Sequence, residues 1–377
     1  MPREPRPISF FVHAQGRGHV RRVAAIIARL DERPVHVLTV DPAAFGPTED
    51  HVTVHALPAT VGVGSASAAL FAEPTPSAMH CMALGSRGAR LSAAAIAQHL
   101  AETDPGLFVV DVSVEIALLG RLCSVPVVSM RMHGERADDA HRIAYEAGVG
   151  QIAPFDERLE QDDFPARERA RTFYAGGLCP DGGAVVSKAE ARAALGLDPE
   201  RRLILAMAGG GGQGSHYAAL TVGARAIPDA LWVAIGPLYR EGHETDFPNL
   251  RCPGWVARPD LWLSAADVVV ASAGDTTVHE IARAGRPYLC IPEWRYFAEQ
   301  TRKAEALARL GAAHVLPAWP GGYADWRAAI AGAGASDVDT LRSLWNPDAA
   351  AAIARHLIAL DARLWDGAEA AAPARVA

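Results

Sequence analysis

The stretch from Ser272 to Gly311, SAGDTTVHEIARAGRPYLCIPEWRYFAEQTRKAEALARLG, predicts one strand–helix–strand unit of a parallel sheet. A strand that ends at Ala271 is followed by a turn carrying Gly274, and a helix begins at Asp275. A helix N-terminus behind a glycine turn presents free backbone N–H groups at the positive end of the helix dipole, which suits a phosphate. Glu280 lies one to two turns further along, where its carboxylate can reach the ribose of the same ligand. We therefore expect a nucleotide site at this end of the sheet.

Short apolar runs alternate with helical stretches in two successive series along the rest of the chain. Strands are predicted at Ile8–His13, Val35–Val40, Val52–Leu57, Leu107–Asp111, Val127–Met130, Thr172–Ala175, Leu203–Ala208, Leu231–Ile235, Val268–Ala271 and Tyr288–Ile291. Helices are predicted between them, notably at Val20–Leu30, Leu91–Ala101, Val114–Leu122 and Asp138–Ala147. Because such series form parallel sheets with helices on both faces, we expect an α/β protein of two doubly wound, Rossmann-like domains that face a central cleft.

The boundary between the domains is predicted at the glycine- and proline-rich segment Gly176–Gly183. We expect a first domain at residues 1–176, a second at 184–346, a C-terminal helix at 347–366 and a loose tail at 367–377. In this prediction Asn346 caps the last helix and Pro347 occupies its first position.

Composition points to a cytoplasmic enzyme with a sizeable core. The chain has 377 residues, of which 50% are hydrophobic and 21% are charged. Its net charge of −7 does not indicate nucleic-acid binding, which favours a basic surface. Its five cysteines lack a C-x-x-C pair, so we expect reduced thiols rather than disulfides or a zinc site. Neither a signal peptide nor an apolar run of ~18 residues is evident, so membrane contact is not expected.

A second candidate site follows the first strand, in the segment FFVHAQGRGHVRR. Gly16 and Gly18 permit a tight turn, and His19 enters the helix at the cleft-facing end of the sheet. A dinucleotide fingerprint would place a third glycine where Arg21 stands, which argues against a nicotinamide-dependent dehydrogenase. Asp111 ends another strand of this sheet, so its carboxylate can orient His19, or cap the next helix instead.

A run of four glycines follows the first strand of the second domain, in AGGGGQGS. Such a run costs chain entropy and supplies no packing, so it indicates close approach of the backbone to a ligand. Further along, PGWVARPD carries Trp255 and Val256, which can belong to the core.

These segments together resemble the GT-B nucleotide-sugar glycosyltransferases, and in particular the family 28 group that includes the peptidoglycan N-acetylglucosaminyltransferase. That group carries a G-x-(x)-(S/T)-x-x-E helix followed by P-x-x-x-(D/E)-Q-x-x-N-A. The matching positions here are Gly274, Thr277, Glu280, Pro292, Glu299, Gln300 and Ala304, while Lys303 replaces the usual Asn.

The resemblance implies a role for each matching segment. His19 would be the general base and Asp111 its orienting carboxylate. The donor-binding residues would be Gly18, Gly211, Gly212, Gln213, Gly214, Trp255, Val256, Gly274, Asp275, Thr276, Thr277, Glu280, Glu299 and Gln300. Among them, Trp255 and Val256 would form a wall for a uracil ring instead of belonging to the core. Three residues near strand ends, His13, Arg131 and His133, would contact the acceptor.

Two departures from the family pattern refine the expectation. Pro180 stands where the family's phosphate-binding Arg would be, so helix termini and another cation must neutralise the leaving diphosphate. Ser272 stands where retaining enzymes carry a second Glu, which favours inversion. The Asp337–Asp339 pair spells D-x-D but lies away from any strand end and is expected at the surface, so no metal or other cofactor is implied.

The sequence therefore predicts an inverting glycosyltransferase that uses a UDP-sugar, or a dTDP-sugar, as co-substrate. A UDP-sugar 2-epimerase of the same fold is the alternative, and a dehydrogenase is third. Between Leu57 and Arg90 a long segment carries only Glu73 as a charged residue before Arg87. Because anionic lipid would call for a basic cluster there, we expect a soluble, fairly apolar small-molecule acceptor.

Overall fold

The computed structural model describes residues 5–13, 17–30, 33–60, 68–80, 84–180, 185–242 and 245–366. Its strands are β1 (Ile8–Phe11), β2 (Val35–Thr39), β3 (Val52–Ala56), β4 (Leu107–Asp111), β5 (Val127–Met130), β6 (Gly150–Ala153), β7 (Thr172–Tyr174), β8 (Leu203–Met207), β9 (Ser215–His216), β10 (Leu231–Ile235), β11 (Leu238–Tyr239), β12 (Leu250–Gly254), β13 (Val268–Ala271), β14 (Tyr288–Cys290) and β15 (His314–Val315).

The helices alternate with these strands. They are α1 (Arg17–Ile27), α2 (Ala68–Ala72), α3 (Arg87–Thr103), α4 (Val114–Leu122), α5 (Asp139–Ala147), α6 (Ala166–Arg169), α7 (Lys188–Ala194), α8 (Tyr217–Ala226), α9 (Pro259–Ala265), α10 (Asp275–Ala284), α11 (Glu299–Arg309), α12 (Tyr323–Gly334), α13 (Val338–Ser343) and α14 (Ala349–Trp365), with 3₁₀ turns at Pro42–Phe45, Glu157–Leu159 and Tyr296–Ala298. Among the described residues, none of the helices is both long and apolar enough to cross a bilayer.

Two large parallel sheets organise the chain. The first has the order β3-β2-β1-β4-β5-β6-β7, the second has the order β12-β10-β8-β13-β14-β15, and β9 pairs with β11 in a small ribbon. Every pairing in the large sheets is parallel, for example β1 with β4 and β8 with β13. The prediction of two doubly wound α/β domains is confirmed.

The strand order reverses beside β1 in the first sheet and beside β8 in the second. Ligands of doubly wound sheets bind at such switch points, beyond the carboxyl ends of the strands. The chain leaves β1 toward α1, and β4 ends at Asp111. In the second sheet, β8 leads into the glycine run and β13 into the Gly274 turn. The sequence motifs therefore lie at the two switch points.

Apolar side chains fill both faces of both sheets. Strands such as β8 and β10 are buried along their whole length, as parallel strands covered by helices on both faces must be. Two clusters flank the first sheet and two flank the second.

The chain crosses between the domains twice, side by side. Gly177 donates its N–H to Leu344 O at 2.8 Å and accepts from Asn346 N at 3.0 Å. After the second crossing α14 returns to the first domain, where Ile353, Leu357 and Leu360 join the core that contains β1.

The start of the last helix differs from the prediction. Helix α14 begins at Ala349 with Asp348 at its N-cap, so Asn346 and Pro347 lie before it. The Asn346 side chain instead donates to Ala175 O at 2.6 Å and accepts from Asp348 N at 3.0 Å. This residue is used at the crossing and is therefore unavailable as a cap.

Several other expectations can be compared with the described residues. Asp337 caps α13, and Asp339 is exposed, as expected for a surface D-x-D. Cys123, Cys252 and Cys290 are free thiols. Cys81, Gly16, part of the Gly176–Gly183 linker and the tail at 367–377 lie outside the described residues.

Candidate active site

A histidine–aspartate pair stands at the switch point of the first sheet. Nδ1 of His19, in the first turn of α1, lies 2.7 Å from Oδ2 of Asp111 at the end of β4. Nη2 of Arg22 also lies near Nδ1, but at 3.1 Å, so we assign the proton of Nδ1 to the shorter contact with the carboxylate, which can only accept, and Nε2 is left as the acceptor. The imidazole is partly exposed and the carboxylate is buried. This geometry is that of an oriented general base.

Arg22 holds the Asp111 carboxylate from the other side. Its Nη2 lies 2.5 Å from Oδ1 of Asp111, and its guanidinium is nearly buried. Burial alone would raise the pKa of Asp111, but the charges of Arg22 and His19 lower it well below its usual range. Asp111 is therefore ionised whenever His19 acts as a base.

The same arginine connects the two domains. Nη1 of Arg22 lies 3.3 Å from Oδ2 of Asp275, the first residue of α10 in the second domain. A Cβ added at Gly18 would lie 3.4 Å from Oγ1 of Thr276. The N-termini of α1 and α10 therefore face one another across the cleft. Thr277, in the next position of α10, faces the Gly274 turn.

Asp275 is also paired with Lys303, the residue that departs from the family motif. The Lys303 ammonium, on α11, is fully buried and contacts Oδ1 of Asp275. Burial would raise the pKa of Asp275, while Lys303 and Arg22 lower it strongly. Since both of its oxygens are engaged by cations, the aspartate orders these cations rather than repelling a phosphate.

Glu280, the expected ribose ligand, pairs with Arg21 of the first domain. Oε1 of Glu280 lies 3.1 Å from Nη2 of Arg21, whose side chain is 36% exposed. The glutamate also lines a cleft between α9 and α10, together with Leu263, Ser264 and Val186. A ribose bound at this carboxylate must share it with Arg21.

The glycine run lies against the loops of the second sheet. Gly210 faces the ring of Trp255, which is 70% exposed, and a Cβ there would lie 3.4 Å from the indole. At Gly212 a Cβ would overlap the Glu293 carboxylate, which pairs with Arg295 at 2.6 Å. Gly214 has a φ of +94° and is close to Pro237 O, so a side chain is excluded there too.

The remaining expected donor-binding residues near the glycine run differ in their exposure to solvent. Gly211 and Gln213 are exposed in the glycine run. Val256 is half-buried and packs against the core of the second domain rather than standing free.

Glu299 and Gln300 begin α11 with distinct environments. The buried amide oxygen of Gln300 accepts from Ala273 N at 3.1 Å and from Glu293 N at 2.9 Å, which ties together the loops after β13 and β14. Oε2 of Glu299 lies 3.8 Å from the guanidinium of Arg136 in the first domain. Gln300 shapes the site, and Glu299 faces the cleft.

The loop before α11 reaches into the first domain. Phe297 and Ala298 adopt left-handed φ values of 59° and 51°, which is a strained conformation for residues with a side chain. The Phe297 carbonyl accepts from Glu135 N at 2.6 Å, and its ring packs against His80 and His141 at 5.1 and 5.0 Å. A loop of the second domain therefore forms part of the first-domain wall of the cleft.

Two of the three expected acceptor residues are corrected by the structure. Arg131 and His133 are each 0% exposed, because Arg131 forms a buried pair with Glu160 at 2.8 Å and His133 contacts Leu159 O at 3.0 Å. Both residues hold the first domain together beneath the cleft. His13 is half-buried, with its ring 5.9 Å from that of His19. Burial and the neighbouring His19 lower its pKa.

Sequence reasoning missed a second polar group on the acceptor side. Asp138 bridges Nε2 of His80 at 2.8 Å and Nδ1 of His141 at 2.5 Å, and Arg136 contacts Nε2 of His141 at 2.8 Å. Arg136, Asp138 and His141 belong to one segment at the start of α5, whereas His80 comes from a distant loop that no local spacing could associate with them. Arg22 was also missed, although its i+3 spacing from His19 places both on one helix face.

Comparisons with solved structures identify the architecture. An Arabidopsis thaliana protein complexed with quercetin superposes with a TM-score of 0.68 at 15% identity, covering 95% of this chain and 100% of the other. The glycotransferase of kitacinnamycin gives 0.66 at 16% identity, covering 95% and 100%. A UDP-GlcNAc 2-epimerase from Neisseria meningitidis gives 0.59 at 12%, covering 94% and 100%. At these identities the likeness concerns the fold.

Residues 248–318 match the glycosyltransferase family 28 C-terminal domain. The chain has the GT-B fold, and this segment of it is similar to the family 28 C-terminal domain. The matched segment spans β13, α10, β14 and α11, and so includes the Gly274 turn and the Glu299–Gln300 pair.

Two curated relatives agree with this assignment. The UDP-N-acetylglucosamine--N-acetylmuramyl-(pentapeptide) pyrophosphoryl-undecaprenol N-acetylglucosamine transferase of Corynebacterium jeikeium is 27% identical over 194 residues, 48% of this chain and 49% of that protein. The protein of the same description from Saccharopolyspora erythraea is 32% identical over 139 residues, 34% and 36% of the two chains. This GT-B chain thus spans half or less of the length of the curated relatives it matches.

Proposed function

We propose that the protein is an inverting glycosyltransferase that moves a sugar from a UDP-sugar to a hydroxyl of a small, soluble acceptor. The observation that carries the proposal is the oriented His19–Asp111 pair, which faces the N-terminus of α10 across the cleft. A base on one wall and an anion-binding helix terminus on the other are what an in-line displacement of a diphosphate needs.

In the proposed reaction Nε2 of His19 takes the proton of the acceptor hydroxyl. The acceptor oxygen forms a bond to the anomeric carbon while the bond from that carbon to the diphosphate oxygen breaks, so the configuration inverts. Asp111 accepts from Nδ1 throughout and stabilises the imidazolium that results. The leaving diphosphate retains the bonding electrons and needs positive charge around it.

We assign that charge to the N-terminus of α10 and to Arg21. Pro180 supplies no cation at the domain joint, and Lys303 is fully buried against Asp275. Arg21 sits beside Gly18 at the facing terminus of α1 and is the partly exposed guanidinium there. A guanidinium matches phosphate oxygens in a bidentate manner, which makes it suitable for this position.

The donor is proposed to place its ribose at Glu280, whose carboxylate lies beside the narrow cleft between α9 and α10 and can accept from ribose hydroxyls. The curated relatives are named for a UDP-sugar, so UDP is the first choice for the nucleotide of the donor and dTDP is the second.

The acceptor is the point on which the comparisons and the surface chemistry differ. The names of the curated relatives contain a pyrophosphoryl-undecaprenol acceptor. In this chain the described part of the 57–90 segment exposes Leu70, Met79 and Leu84, with Arg87 and Arg90 as its only basic side chains. Anionic lipid headgroups attract clusters of Lys and Arg. Because this surface has no such cluster among its described residues, it favours an apolar acceptor that is not presented by an anionic membrane.

A thermal-shift screen of UDP-, dTDP- and GDP-sugars tests the donor assignment. A donor at 100 times its dissociation constant stabilises the folded state by about 2.7 kcal/mol, so the true donor is expected to raise the unfolding temperature. Release of free UDP that requires an added acceptor separates transfer from 2-epimerisation, which needs none. UDP-sugar conversion without an acceptor would contradict the proposal, as would tight binding of a nicotinamide dinucleotide in a fluorescence titration.

A further inference from the structure

Three histidines form a cluster between the edge of the first sheet and α3. His36 is the second residue of β2, His55 is the fourth residue of β3, and His99 lies in α3. The sheet register pairs Leu38 with His55, so the side chains of His36 and His55 point to the same face. The ring centroids are separated by 5.2, 5.0 and 4.8 Å.

We propose that His36, His55 and His99 form a binding site for a divalent transition metal of the zinc class. One ring nitrogen from each lies within 4.8 Å of the other two, and Nδ1 of His36 is 3.0 Å from Nε2 of His55. Zinc binds imidazole nitrogens at about 2.0–2.1 Å in tetrahedral geometry, which places neighbouring ligand atoms about 3.4 Å apart. Three histidines leave the fourth position to water.

The surroundings favour neutral imidazoles, the form that binds a metal. Burial lowers the pKa of all three rings, and that of His99 falls to about 4 with help from His55 and His36. The negative charge of Glu102 acts on His99 in the opposite direction, and it would also attract a cation. The lone pairs are therefore available at neutral pH.

A buried hydroxyl supports the ring of His99. Oγ of Ser9, on β1, is fully buried and lies 3.1 Å from Nε2 of His99. Metal-ligating histidines are commonly held by such an outer hydrogen bond, which fixes the orientation of the ring. Ser9 and His36 are paired in register near the amino ends of their strands, whereas the transfer site lies at the carboxyl ends.

The His80–Asp138–His141 group is a weaker candidate for a cation. There the guanidinium of Arg136 donates to Nε2 of His141 at 2.8 Å, and both oxygens of Asp138 already accept from the imidazoles. A fixed positive charge beside the site opposes a second one. The three-histidine cluster has no such guanidinium among the contacts of its described residues.

Cobalt and zinc titration of the chelator-treated, full-length protein tests the site. We expect about one equivalent of Co²⁺ to bind, with visible absorption of a four- or five-coordinate complex, and Zn²⁺ to displace it. Because the metal joins β2, β3 and α3, it should also raise the unfolding temperature. X-ray absorption of the zinc-loaded wild type should show imidazole nitrogens at about 2.0 Å.

Single variants locate the site. His36→Gln and His55→Gln are each expected to weaken Co²⁺ binding at least a hundredfold, whereas His356→Gln, a first-domain contact stacked on Phe173, should bind as the wild type does. Unchanged binding in both cluster variants would overturn the proposal. So would loss of binding in His141→Gln alone, or an absorption spectrum of the wild type without imidazole ligands.

Discussion

Asp111 is the residue on which the proposed chemistry of the first domain depends, because one buried carboxylate serves two partners. Its Oδ2 orients His19 and its Oδ1 holds Arg22, which in turn reaches Asp275 of the second domain. A proton taken up by His19 would therefore be balanced by the negative charge of Asp111. Through Arg22 and Asp275, the position of His19 is also coupled to the N-terminus of α10. The proposed base and the proposed diphosphate site are therefore connected through Asp111, Arg22 and Asp275.

Replacing the proposed base should separate binding from chemistry. We expect His19→Ala to keep its donor affinity and to lose about 10²–10⁴ in kcat, the usual value of a positioned general base. Asp111→Asn should lose less and displace the pH profile, since the imidazolium is no longer stabilised. Steady-state kinetics with a true acceptor and calorimetry with the donor measure the two effects.

The matched control is His51→Ala, a partly buried first-domain histidine beside the exposed Glu49, which should leave both parameters unchanged. Normal turnover in His19→Ala would instead make His13 the candidate base, because its ring lies 5.9 Å away.

The prediction for donor affinity concerns Glu280. Removing a carboxylate that accepts from ribose hydroxyls should weaken UDP-sugar binding by about 1.5–3 kcal/mol in Glu280→Ala, the range for a charged hydrogen-bonding partner. Arg21→Gln should also raise the KM for the donor, because the diphosphate loses its exposed guanidinium. Calorimetry of each folded variant measures the change. Glu305→Gln, exposed on α11, is the control, and unchanged affinity in Glu280→Ala would remove the ribose assignment.

For single residues, the sequence could predict which side chains lie together at strand ends, but it could not predict which of them are buried. His19 and Asp111 both follow strands of one sheet, so their proximity could be anticipated. Arg131 and His133 also follow a strand, yet they turn under the cleft to Glu160 and Leu159. Nothing in their local sequence separates a residue that faces the cleft from one that points beneath it.

Helices α10 and α11 are joined by the ion pair between Asp275 and Lys303. Where the family motif has Asn, this chain has a buried lysine, and the first turn of α10 carries the matching aspartate. The buried lysine and this aspartate are best explained together, as one ion pair. A buried charge is tolerated only with its partner.

Removing one partner of this ion pair should lower the free energy of unfolding, whereas removing both partners should have a smaller effect. Lys303→Asn leaves the Asp275 carboxylate with Arg22 alone, so we expect a loss of about 3 kcal/mol in the free energy of unfolding. The double variant Lys303→Asn with Asp275→Asn should recover most of this loss. Chemical denaturation of the single and double variants measures the coupling, and additive losses would contradict it.

The same variants predict a change in acid sensitivity. Lys303 and Arg22 overcome the effect of burial and lower the folded-state pKa of Asp275. A carboxylate with a lowered pKa stabilises the fold above its unfolded pKa of about 3.9 and loses this contribution as the pH falls. Lys303→Asn should therefore begin to unfold at a higher pH than the wild type.

Among the elements, fully apolar strands were the most predictable. β4, β5, β10 and β13 match their predicted bounds, because each is a short buried run, rich in β-branched residues, between turn signals. β6 (Gly150–Ala153) was missed, since a strand of four residues that opens on glycine has no periodicity. The start of α14 was placed too early because the role of Asn346 at the crossing depends on tertiary contacts.

For the whole molecule, membrane affinity is the property that separates the two kinds of acceptor. We expect the purified protein to remain at the bottom of a flotation gradient with anionic liposomes, because its described acceptor-side loop has only two basic side chains. Its net charge of −7 adds repulsion. Neutral liposomes serve as the control. Strong, salt-sensitive flotation with the anionic ones would instead support a lipid-linked acceptor.

Helix α14 has a consequence for the order of events on the ribosome. The first domain acquires Ile353, Leu357 and Leu360 as part of its core, although they are translated after the whole of the second domain. Roughly 170 residues separate Leu178 from Ala349, so at about 5–20 residues per second the nascent first domain waits on the order of ten seconds or more for its final helix. During that interval its apolar groove is open to chaperones.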